Sequence, residues 1–119
     1  MAGRFPLFTD NHVRQQIVDA LRREGWDVVR AIDVFPEGTD DEILFPYAAE
    51  HDRAFVTCDK RIHALAMDGL KAGKLFRMVF WRFERHREMS DGSFVRAFAE
   101  IAAKPDAFAY PIEYIKPKP

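Results

Sequence analysis

Short apolar runs alternate with stretches of helical periodicity along most of the chain. "FPLFT" (residues 5–9) reads as a strand, and Val13, Ile17, Ala20 and Leu21 then recur at helical spacing up to Gly25, which supplies a C-terminal stop. "WDVVRAI" (26–32) is a second strand and "PEGT" (36–39) a turn. Thr39 and Glu42 form a capping-box pattern ahead of a helix that carries Ile43, Leu44, Tyr47 and Ala48, with Pro46 removing one backbone donor inside it. "AFVT" (54–57) is the third strand, "RIHALAMDGLKAG" (61–73) the third helix, and "LFRMVFWRF" (75–83) a fourth strand apolar enough to be covered on both faces. Asp91 or Ser93 is placed to cap a fourth helix with Phe94, Phe98 and Ile101 on one stripe. The Pro-punctuated "FAYPIEYIKPKP" (108–119) is an edge strand or an extended arm with a frayed tail.

Strands separated by helices at this interval imply right-handed crossovers. The expected fold is therefore α/β, a three-layer α/β/α sandwich on a mainly parallel sheet of order 2-1-3-4 plus an edge strand. A length of 119 residues suits one domain over 1–119 with one hydrophobic core. Hydrophobic residues make up 48% and charged residues 31%, which fits a globular protein and excludes a disordered or fibrous one. No apolar run approaches the roughly 20 residues that span a bilayer, and the N-terminal residues lack the zones of a signal peptide. With a lone cysteine, Cys58, this points to the cytoplasm and to no membrane partner.

The net charge of −1 provides no global basic field for nucleic acid. Basic residues cluster locally, at Lys60 with Arg61 and in "RFERHRE" (82–88), which is a solvated loop or a phosphate-binding patch.

The strand-to-helix junctions carry the candidate chemistry. In open α/β sheets, ligands bind outside the carboxyl ends of the strands, so every such junction opens on one rim. Asp10 follows the first strand, Asp40 and Asp41 open the second helix, and Asp59 follows the third strand. In a 2-1-3-4 sheet the first and third strands are neighbours at about 4.8 Å, which brings Asp10 and Asp59 within reach of one ion. Carboxylates that close repel unless a cation lies between them, and magnesium or manganese takes such oxygens. Each acid also has a bland reading, because Asp is a favoured helix cap and acids in a first turn complement the helix dipole. Asn11 is available to cap the first helix in place of Asp10, and Thr39 the second in place of Asp40. His12 and His63 lie near the rim without the paired spacing of a zinc motif.

The stretches "TDNH…IVDALRREGWDVV", "GTDDEILFPYAAEHDRAFVTCDK" and "KLFRMVFW" together resemble the PIN-like domain family, in its compact bacterial branch, over roughly residues 5–83. The resemblance implies a metal-dependent ribonuclease acting on single-stranded RNA, the toxin of a toxin–antitoxin pair. It implies Asp10, Asp40 and Asp59 as ligands of Mg2+ or Mn2+, with Asp41 the close alternative to Asp40. Arg14, Lys60 and Arg61 are the expected substrate-binding bases. A small antitoxin protein and a second copy of the chain are the expected partners, with "FAYPIEYI" as the candidate contact surface. Two departures stand out: family members often carry an acid and then an aromatic where this chain has Arg61 and Ile62, and Asn11 stands where Glu is common. The rival expectation is a catalytically weakened protein-binding module. A receiver-like domain also places acids at strand ends, but it needs a lysine after a fifth strand that "YIKPKP" does not supply.

Overall fold

Leu7 and Phe8 are both fully buried although a strand points them to opposite faces, so the first strand must be covered on both sides. The computed structural model describes residues 4–82 and 89–116. Its strands are β1 (Leu7–Thr9), β2 (Val28–Arg30), β3 (Ala54–Thr57), β4 (Met78–Phe80) and β5 (Ile112–Tyr114). The described helices are α1 (Gln15–Arg23), α2 (Ala31–Val34), α3 (Asp41–Glu50), α4 (Lys60–Lys71) and α5 (Asp91–Ala103). All strand pairs are parallel, in the order β2-β1-β3-β4-β5. The expected order holds, and "IEY" supplies the edge strand.

Two clusters fill the two sides of the sheet. Leu7, Val56 and Val79 face Ile17 and Leu21 of α1 and Phe94 and Phe98 of α5. On the other face Phe8, Phe55, Met78, Phe80 and Ile112 meet Leu44 and Phe45 of α3 and Ile62 and Ala66 of α4. Phe45 lies over Phe55, and Phe8 packs edge-on against Phe55, so aromatic contacts knit α3 to the sheet centre. Gly25 ends the first helical unit at φ +88°, a backbone that a side chain would strain, and its amide bonds back to Arg22.

Several local expectations are corrected. The second strand stops at Arg30, where its amide donates to the Asp33 carboxylate at 3.3 Å and the chain turns into the short helix α2. The Thr39–Glu42 capping box does not form, because the Thr39 hydroxyl donates to the Pro36 carbonyl at 2.6 Å and Asp40 takes the N-cap position without a side-chain bond. The last described helix is capped by Ser90, which accepts from the Ser93 amide, and not by Asp91 or Ser93. β4 is shorter than the apolar run suggested: Leu75 lies outside it and is 91% exposed. In "FAYPIEYI", Ile112 and Ile115 are buried, so Tyr110 and Tyr114 are its large exposed side chains. The expected loop at "RFERHRE" falls at 83–88, outside the described residues, apart from Arg82. No described helix is long and apolar enough to cross a membrane.

Candidate acid site at the carboxyl rim

The parallel register creates one row of side chains along the rim. Phe8 pairs with Phe55, Thr57 with Phe80, and Phe80 with Tyr114. Strand alternation then places Asp10, Thr57, Phe80 and Tyr114 side by side on the face that α4 covers. Asp10 and Thr57 meet directly, and the Thr57 hydroxyl donates to Asp10 Oδ2 at 2.5 Å.

Asp10 caps no helix. The N-cap of α1 is Arg14, and neither Asp10 nor Asn11 serves there. The Asp10 carboxylate accepts instead from the His12 amide at 3.0 Å and from Thr57, and is 4% exposed. Burial pushes its carboxyl group up from 3.8 to about 6, and the nearby Asp59 charge adds to the rise, while the Thr57 bond and His12 oppose it. An acid held out of water without a full counter-charge is the signature of a working site more than of a cap.

Asp59 combines both readings. It is the N-cap of α4, accepting from the Arg61 amide at 2.8 Å. Its own amide donates to Thr57 Oγ1 at 3.0 Å, and its Oδ2 lies 3.2 Å from His12 Nε2 and 3.2 Å from Arg61 Nη2. Partial burial raises its carboxyl group, but the Arg61 side-chain and amide bonds, with the charges of Arg61 and His12, outweigh this and hold it below the ordinary value. Three hydrogen bonds and the His12–Asp59 contact thus link Asp10, His12, Thr57 and Asp59 in one circuit across β1 and β3.

Of the two helix acids, Asp41 is the one that feels this circuit. Its carboxyl group is raised by partial burial and then by the Asp59 charge, with Arg61 opposing. Asp40 is exposed; with Asp41, Glu42, Arg61 and Leu65 it lines a shallow depression of about 370 Å3. Lys60 is exposed at the start of α4. Arg14 points elsewhere: Nε and Nη2 donate to Asp91 Oδ1 at 2.9 and 2.8 Å and Nη2 to the Met89 carbonyl at 2.8 Å, tying α1 to α5.

Among the described residues, no three His, Cys, Asp or Glu side chains gather closely enough to hold one metal ion. The three-acid cage expected from Asp10, Asp40 and Asp59 is therefore not present ready-made. The donor chemistry of Asp10 with Asp59 still fits a hard divalent ion, because magnesium takes one or two carboxylates and keeps several waters. The burial of the Asp10 carboxylate, with only neutral donors, the His12 amide and the Thr57 hydroxyl, on its oxygens, is the supporting observation.

Thr57 was not legible as a site residue from its type, although its position two residues before Asp59 at a strand end gives it the same facing as Phe55. Tyr114 was legible only as an aromatic in an edge segment.

No curated protein and no solved structure matches this chain. A family model described as PIN like domain matches residues 6–72, a stretch that holds Asp10, Asp40, Asp41, Thr57 and Asp59. That match covers more than half of the chain and coincides with the strands and helices that build the acid rim, so the chain belongs to the PIN-like domain family.

Proposed function

We propose that this protein is a metal-assisted ribonuclease acting on single-stranded RNA, and that a small antitoxin protein neutralises it. The observation that carries the reading is Asp10: a buried carboxylate at the centre of the rim, raised to about 6 and braced by two donors, in a fold associated with nucleases. Asp10 and Asp59 would hold Mg2+ or Mn2+, with Asp41 or Asp40 facing it. When bound, the ion supplies positive charge to the phosphodiester and acidifies water. The chain's own residues do the positioning. Thr57 and the His12 amide fix both oxygens of Asp10, and the Thr57 hydroxyl also holds the Asp59 amide, so the two acids keep one relative orientation. Arg61 and Lys60 place cationic groups at the mouth for a phosphate.

A second reading, a binding module with weakened chemistry, draws on two observations. Arg61 and His12 already pair with Asp59 Oδ2. A groove of about 670 Å3 between α3 and α4, lined by Phe45, Leu65 and Phe76, also carries Glu42, Glu50 and Asp68 in its walls. Apolar walls with three acids against one base, Lys74, suit a basic, amphipathic segment of a small protein partner. Self-association into a homodimer is the remaining partner proposal.

Titration with Mn2+ separates the readings. The ribonuclease reading expects the thermal midpoint to rise with ion concentration in wild type and not in Asp10→Asn. It also expects wild type alone to cut unstructured RNA. Equal cutting by both proteins, or no midpoint change at millimolar ion, refutes it. Arg61→Asp adds the acid that related proteins often carry, and tighter Mn2+ binding by that variant would identify Arg61 as the residue that weakens the site.

A further inference from the structure

The rim row does not end at the acids. Beyond Thr57 it continues through Phe80 to Tyr114, at the edge of the sheet, two strand spacings or on the order of 10 Å away. Ile112, two residues earlier on the same face, is 3% exposed, whereas Tyr114 is 45% exposed. Closing the core therefore accounts for Ile112 and leaves Tyr114 to be explained. Its ring is not loose: Tyr114 Oη and His63 Nε2 share a hydrogen bond of 2.8 Å. His63 in turn lies on Phe80, with ring centroids 4.6 Å apart and planes at 31°. Phe80 meets Tyr114 edge-on at 87°. A histidine on α4 and a buried phenylalanine thus hold a half-exposed tyrosine in one orientation.

A rigid aromatic face, in line with an acid site for phosphodiesters, is what an unpaired nucleobase recognises. Stacking requires only the flat face that every base has. We propose that Tyr114, pinned by His63 over Phe80, is the stacking platform for one unpaired base of single-stranded RNA whose backbone runs along the rim toward Asp10. This inference rests on the ribonuclease reading for the direction of the strand, not for the existence of the platform.

The test is binding of a short, fluorescently labelled single-stranded adenosine oligonucleotide to the full chain, in chelator so that the probe survives. Tyr114→Ala is expected to weaken binding roughly five- to hundredfold, the range for loss of one base–aromatic stack, in a protein that still unfolds cooperatively well above the assay temperature. Tyr114→Phe keeps the ring and is expected to stay within about threefold of wild type. Tyr110→Ala is the control, because Tyr110 is equally exposed at 47% but contacts Met67, one turn of α4 farther from the acids. An oligonucleotide with an abasic backbone should bind wild type and Tyr114→Ala alike. Equal affinity of wild type and Tyr114→Ala for the adenosine probe overturns the platform, and if both still cut RNA the ribonuclease reading stands alone. Weaker binding by Tyr114→Ala with no cutting by any form upholds the platform and sinks the ribonuclease reading. An equal loss in Tyr110→Ala, or a change of oligomeric state in Tyr114→Ala with RNA affinity intact, also overturns it, the latter in favour of a protein contact.

Discussion

Asp10→Asn tests the electrostatic core of the site without reference to RNA. The substitution keeps shape and removes the charge. In the folded protein burial holds the Asp10 proton up to about pH 6, while the unfolded chain releases it near 3.8. Between those values the folded state binds more protons, so stability must fall as pH rises through the window, and above about pH 6 the full cost is present. At about 1.4 kcal/mol per pKa unit, that cost is about 3 kcal/mol at neutral pH. Asparagine avoids it but has one acceptor oxygen where the carboxylate serves two donors, His12 N and Thr57 Oγ1, so one buried bond worth about 1 kcal/mol is lost. The expected result is a variant more stable than wild type by about 2 kcal/mol at pH 8 and less stable by about 0.5 kcal/mol at pH 4. Urea unfolding followed by the fluorescence of the buried Trp26 and Trp81 measures both, in chelator to keep ions out. A difference between the two proteins that stays flat from pH 4 to pH 8 refutes the raised carboxyl group. A more stable variant that no longer cuts RNA would mark Asp10 as an acid kept for function at the expense of stability.

Other substitutions probe neighbouring claims. Thr57→Val strips the donor from Asp10 Oδ2 and the acceptor from the Asp59 amide, and should cost about 2 to 3 kcal/mol in urea unfolding; a change below about 0.5 kcal/mol would mean the circuit does not hold the strands' ends. Thr9 hides a hydroxyl with no hydrogen-bond partner among the described residues, so the isosteric Thr9→Val should raise stability by about 1 kcal/mol, and a lowered midpoint would reveal a partner. Arg14→Ala should lower stability by about 1 kcal/mol through loss of the half-exposed Asp91 pair and its contact over Phe94; altered RNA affinity at unchanged stability would return Arg14 to the substrate side.

The layered fold was readable because β1, β3 and β4 are short apolar runs and α1 and α4 carry clean stripes. Periodicity sees such patterns and cannot see which of two hydrogen bonds a polar side chain chooses. Thr39 turned back to Pro36, and Asp33 caught the Arg30 amide, so one capping box failed and the end of one strand became a short helix. The acids were legible as acids at junctions. Their partners were not: His12 with Asp59, Thr57 with Asp10 and His63 with Tyr114 lie 47 to 51 positions apart and meet only through strand register and the packing of α4 on the sheet. Arg14 shows the converse, a base near the acids in sequence whose partner, Asp91, lies 77 residues away on α5.

The order β2-β1-β3-β4-β5 also has a temporal meaning. After the first crossover the sheet grows outward in one direction, so each strand made after β2 pairs in the finished sheet with one synthesised before it. The acid end of the rim is complete when β3 docks, whereas Tyr114 arrives with the last strand. A chain interrupted before Ile112 would contain Asp10, Thr57 and Asp59 and lack the strand that ends the row.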